Sequence, residues 1–166
     1  MKILIRSRKA IEKMSNSPFS KGTALISITD VNDSPVNLEN QPDFLLRLAF
    51  DDVDNDVFAD EPIDELTQEE KIEMEKKYNM LSEEQANKIA SFYETNKDNI
   101  STLICQCEHG QSRSAAVAAA ILEFRSRRGI QIFVDDRYYP NKVVYRKVFA
   151  ALRDQIPIYD VSDKTS

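Results

Sequence analysis

Apolar and polar positions along the chain fall into short runs of two kinds. Runs of four to seven residues, rich in β-branched side chains and bounded by polar or glycine punctuation, read as strands: Lys2–Ile5, Thr23–Thr29 (TALISIT), Leu45–Phe50 (LLRLAF) and Ser101–Cys105 (STLIC). Between them lie stretches with helical spacing. Arg6–Met14 reads as a short helix that closes near Ser15-Asn16-Ser17-Pro18. Thr67 with Glu70, and Ser82 with Gln85, each form a capping-box pattern, so helices are expected over about 67–79 and 83–96. The second carries Ala86, Ile89, Ala90 and Tyr93 on one face and is expected to pack on the core. The first has a poorer apolar stripe and reads as an insertion outside it.

Ser114–Arg127 is apolar nearly all round, the signature of a helix buried at the centre of a domain, and Gly129 is expected to supply its stop. Ile130–Val134 reads as a short strand or extended connection. Pro140 suits the first residue of a last helix, with Val144, Val148 and Leu152 on one side. The acidic stretch Asp51–Pro62 lacks regular periodicity and reads as loop. Strands alternating with helices predict an α/β fold, a central and mostly parallel sheet of four to five strands flanked by helices. In such folds ligands bind beyond the carboxyl ends of the strands. The expected organisation is one domain over residues 1–153, with a helical insertion at about 58–80 and a frayed tail at 154–166.

At 166 residues and 42% hydrophobic content the chain matches one ordinary domain. Its first apolar run is three residues long, too short for a secretory signal, and no run reaches the roughly 18 residues that cross a bilayer. A soluble, cytoplasmic protein with no membrane partner is expected. A net charge of −6 argues against nucleic-acid binding through bulk charge. The charge is uneven: residues 51–84 hold fourteen Asp or Glu against three Lys, and residues 125–153 hold eight Lys or Arg against two Asp. Arg137, Lys142, Arg146 and Lys147 read as the solvated face of the last helix, with the lining of a phosphate-rich substrate path as the alternative.

Candidate chemistry concentrates in CQCEHGQSRSAAVAAAIL, residues 105–122. Two cysteines one residue apart cannot make a disulfide framework, and two Cys with one His lack a fourth zinc ligand. Asp52-x-Asp54-x-Asp56 imitates a calcium loop, but Val57 stands where glycine is needed and Ile63 where the bidentate Glu belongs. No metal or cofactor is expected. A strand, a short loop and a buried helix in succession set consecutive main-chain N–H groups around a hollow at a helix N-terminus, which favours an anion. Gly110 frees the backbone to form that loop, and Arg113 can bring a planar fork of donors suited to a tetrahedral oxyanion. Cys107 then acts as a thiolate nucleophile beneath a bound phosphate. Cys105 reads as a core strand residue and His109 as an exposed loop residue.

The run Cys107-Glu108-His109-Gly110-Gln111-Ser112-Arg113 resembles the C-x₅-R signature of the cysteine-based phosphatases, and Gly110-x-Ser112-Arg113-Ser114 is similar to their dual-specificity subgroup. The order of elements carries the resemblance over about residues 20–152, with the loop its specific part. It implies a phosphatase-type fold and hydrolysis of phosphate monoesters, on phosphotyrosine and on phosphoserine or phosphothreonine, through a phosphocysteine intermediate. The substrate would be a phosphorylated protein or a small phosphate ester. Main-chain groups from Glu108 to Arg113, with the Arg113 side chain, would bind the phosphate oxygens, and Ser114 would hydrogen-bond the Cys107 sulfur. An aspartate after an earlier strand would be the general acid. Asp52 is the first choice, with Asp51, Asp54 and Asp56 as competitors. Gln106 departs from the histidine that usually precedes the cysteine. Two other readings remain: a phosphate-binding module of the same fold without turnover, and a thiol reductase that would need Cys105 as a second sulfur.

Overall fold

The β-branched runs become β1 (Lys2–Ser7), β2 (Thr23–Thr29), β3 (Phe44–Ala49) and β4 (Thr102–Cys107) of a computed structural model that describes residues 1–54 and 66–155. All pair in parallel in the order β1-β4-β2-β3. Because β4 enters last in sequence yet lies inside the sheet, its carboxyl end opens between the ends of β1 and β2. Ser7 stands opposite Cys107, and Ser27 opposite Gln106.

Helices α1 (Arg8–Ser15), α2 (Gln68–Lys77), α3 (Glu83–Asn96), α4 (Arg113–Ser126), α5 (Ile130–Phe133) and α6 (Lys142–Asp154) complete the described residues. Alternation along the strands divides the interior. Ala24, Ile26, Ile28, Leu103, Cys105 and Cys107 face α3, α4 and α6, whereas Leu25 and Ile104 face Ile11 of α1, with Val36 and Leu38. On α4 every residue from Arg113 to Ile121 is buried, and a fully buried Val, Leu or Ile contributes about 1.5–3 kcal/mol. The helix that leads out of the cysteine loop is therefore held rigidly. Both expected capping boxes form, Thr67 with Glu70 and Ser82 with Gln85. No residue of α2 is buried. Among the described residues, no helix is long and apolar enough to cross a membrane.

Four local expectations are corrected. Ile130–Val134 contains one helical turn and no strand, because the adjacent residues Ile132 and Phe133 both pack on the core, where a strand would turn them to opposite faces. The stop of α4 comes from Arg127 in the left-handed conformation at φ 55°, not from Gly129. Gly129 instead sits where a Cβ would meet the Ala119 carbonyl oxygen at 2.6 Å. Pro140 precedes α6, whose cap is Asn141, its side-chain oxygen accepting from the N–H of Val144. Arg6, expected to open α1, ends within β1, and Ser7 caps the helix by accepting from the Ala10 N–H at 3.2 Å.

Candidate active site

Cys107 is the last residue of β4 and Arg113 the first of α4, so the loop Glu108–Ser112 fills the step from strand to buried helix. The loop is seated on the end of β1. The N–H of Arg8 donates to the Glu108 carbonyl at 3.1 Å, and the Arg8 guanidinium donates to the Glu108 carboxylate at 2.8 Å. Gly110, at φ 71°, lies so close to the Arg6–Ser7 peptide that a Cβ would stand 2.6 Å from the Ser7 nitrogen. His109 and Gln111 are exposed. On the far side the N–H of Tyr139 donates to the Gln111 carbonyl at 2.9 Å.

Among the described residues, no main-chain hydrogen bond is donated by His109, Gly110, Gln111 or Ser112. Nor is the N-terminus of α4 capped by a side chain, because the Ser112 hydroxyl turns away and donates to Asp52 at 2.8 Å. Orphan donors at a helix start attract an anion. Cys107 is 2% exposed, and its Sγ lies 3.0 Å from Ser114 Oγ.

Arg113 is 3% exposed and is gripped along one side only. Its Nη1 donates to the Phe50 carbonyl at 2.6 Å and pairs with Asp30 Oδ1 at 2.5 Å. Its Nε is buried without a hydrogen bond among the described residues, and Asp52 Oδ2 lies 4.0 Å from it. An unpaired donor in that setting costs on the order of 1–3 kcal/mol, more when charged. The planar fork is thus oriented from behind by Asp30 and Phe50, with its Nε edge left without an acceptor.

The four aspartate candidates separate by their partners. Asp51 is engaged in structure, accepting from the N–H of Val31 at 3.0 Å and from the Asn79 amide at 3.1 Å. Asp54 accepts from the N–H of Lys142 at 3.0 Å, at the start of α6. Asp52 alone of the three reaches the loop, with Oδ1 accepting from Ser112 and, at 2.9 Å, from Asn141. Asp56 lies outside the described residues.

Gln106 faces away from Cys107. It is fully buried on the α1 side of the sheet, where its Oε1 accepts from Ser27 at 2.7 Å and its Nε2 has no partner among the described residues. Cys105 is buried beside the core, and burial first, then the neighbouring Cys107, pushes its thiol far above the ordinary range. Of the basic residues read as a solvated face, Lys147 is corrected, while Arg137 is exposed as expected though it lies ahead of α6. Arg137 is bound by Asp135, whose carboxyl it holds down at about 2, and Lys147 bridges Glu75 and the Leu81 carbonyl. Among the described residues, no cluster of three His, Cys, Asp or Glu is grouped to hold a metal ion.

Sequence reasoning missed Asp30 and Asn141. The signal for Asp30 was its place directly after a strand, at the sheet end where ligands bind. The signal for Asn141 was its place ahead of an apolar-periodic helix, as a cap.

No family model matches the chain. No curated protein matches it either. Among solved structures, a crystal structure of human DUSP28 aligns over 92% of this chain and 92% of that one, at 14% identity and a TM-score of 0.47. A crystal structure of Tk-PTP in the active form aligns over 94% of each chain, at 12% identity and a TM-score of 0.46.

Proposed function

We propose that this chain is a cysteine-dependent phosphatase that hydrolyses phosphate monoesters, phosphotyrosine among them, at the loop Cys107–Arg113. The observation that carries the reading is the unpaired edge of Arg113. A buried guanidinium held from behind by Asp30 and Phe50 keeps Nε unpaired on the same loop as a sulfur bonded to Ser114. A phosphoryl group satisfies that edge and the free main-chain donors together.

The Cys107 thiolate attacks phosphorus, forming a P–S bond as the bond to the ester oxygen breaks. Asp52 gives its proton to the departing oxygen. Water then attacks phosphorus and Asp52 takes its proton. The P–S bond breaks, and the sulfur leaves as a thiolate stabilised by the Ser114 hydroxyl. Ser112 and Asn141 hold Asp52 Oδ1, which leaves Oδ2 as the edge that carries the proton.

The test is hydrolysis of p-nitrophenyl phosphate in EDTA by the wild type and Cys107→Ser, with vanadate as competitor. Turnover in EDTA, blocked by vanadate and abolished in the variant, is expected. Turnover that requires a metal, or that survives the substitution, overturns the mechanism. Vanadate binding without any turnover identifies a phosphate-binding module instead.

A further inference from the structure

The rim of the loop is built from carboxylates. Glu108 lies in the loop itself, Asp30 and Asp52 flank Arg113, and Asp54 joins the start of α6 beside Asn141. Three cations stand among them: Arg113 and Arg8, which already face carboxylates, and Lys142, whose N–H bonds Asp54. Arg8 is engaged further by the Ser34 carbonyl at 2.6 Å and by Glu12. These four carboxylates, with Glu12 as a fifth, against the three cations leave a formal charge of −2 when all are ionised. Of the other cations of the 135–147 region, Arg137 is tied to Asp135 and Lys147 to Glu75, and Arg146 has no ion pair among the described residues. Asp33 adds a further exposed carboxylate at the turn behind Asp30.

A phosphate monoester brings about −1.5 to −2 of its own. The uncharged main-chain donors and the unpaired edge of Arg113 can hold one such group at close range. Any second anion on the ligand falls among the rim carboxylates, where like charges repel. We infer that the site selects a singly phosphorylated peptide whose flanking residues are Lys or Arg, and rejects polyanionic phosphates. The inference rests on the phosphate-monoester reading and adds the class of substrate to it.

Three substrates separate the possibilities: a phosphotyrosyl peptide flanked by Lys and Arg, the same peptide flanked by Asp and Glu, and inositol hexakisphosphate. p-Nitrophenyl phosphate, which has no flanks, serves as the reference. The basic peptide is expected to exceed the acidic one about tenfold in kcat/KM at 50 mM salt. The gap should shrink to about twofold at 0.5 M salt as screening shortens the range of the rim field. Asp33→Lys should narrow the gap at low salt and leave p-nitrophenyl phosphate turnover unchanged. Affinities of the two peptides for Cys107→Ser, measured by calorimetry, should show the same order. Turnover of the reference ester with no peptide preference, or with the acidic peptide or inositol hexakisphosphate preferred, overturns the inference and leaves the phosphatase reading standing. No turnover of any ester by the wild type removes both.

Discussion

Replacing Gly110 by alanine tests how closely the loop is seated on β1. The residue has φ 71°, where an L side chain costs roughly 1–2 kcal/mol. The added Cβ would stand 2.6 Å from the Ser7 nitrogen and 2.7 Å from the Arg6 carbonyl carbon. Both are backbone atoms of a paired strand and cannot swing aside as a side chain would, so overpacking adds about 1–3 kcal/mol. Together the terms predict a loss of about 2–5 kcal/mol, and at roughly 2–4 °C per kcal/mol for a domain of this size Tm falls by about 4–20 °C. The strain can relax by lifting the loop from β1, which displaces the donors proposed to hold phosphate, so activity at permissive temperature should fall further than the folded fraction does. The assay pairs thermal unfolding followed by circular dichroism with p-nitrophenyl phosphate kinetics well below Tm. Gly129→Ala is the control. Its Cβ also meets backbone, the Ala119 carbonyl oxygen at 2.6 Å, but beyond the far end of α4. It should lose stability and keep its turnover per folded molecule. A Gly110→Ala protein with the wild-type Tm and full kcat/KM would refute the argument that the loop depends on this close approach.

Asp52→Asn should lower kcat by about 10²–10³ and remove the alkaline limb of its pH profile, because the first step needs the acid protonated. Asp54→Asn, at a residue bonded to the N–H of Lys142 and not to the loop, should keep both limbs; the reverse pattern would transfer the acid role to Asp54. Burial holds the Cys105 thiol protonated in the folded chain, whereas in the unfolded chain it ionises near about 8.5. The stability it contributes is therefore whole below that pH and declines above it, by up to about 1.4 kcal/mol per pH unit. Urea midpoints between pH 7 and 10 should show a shallower decline for Cys105→Ala than for wild type, and parallel curves would show that its burial does not matter.

Elements whose signals lie within a turn or two were legible in the sequence. Thr67 and Ser82 cap the helices that their partners three residues on announced, and the apolar run after Arg113 is buried as its pattern required. The cysteine loop was legible for the same reason, since Cys107, Gly110, Arg113 and Ser114 all lie within eight consecutive positions. The choice among aspartates was not, because Asp51, Asp52 and Asp54 share one chemistry and one short stretch and differ only in what meets them. Asn141, which meets Asp52, is 89 positions away, and Phe50, which orients Arg113, is 63 away.

The sequence by itself determined the strands, the caps and the residue types gathered in one loop, because each depends on neighbours along the chain. Tertiary structure alone decided the site around that loop. The order β1-β4-β2-β3 brings Asp30 at the end of β2 onto the arginine that follows β4, and sets Ser27 of β2 beside Gln106. Sheet order is settled by which faces bury together across the whole domain, and no local pattern records it.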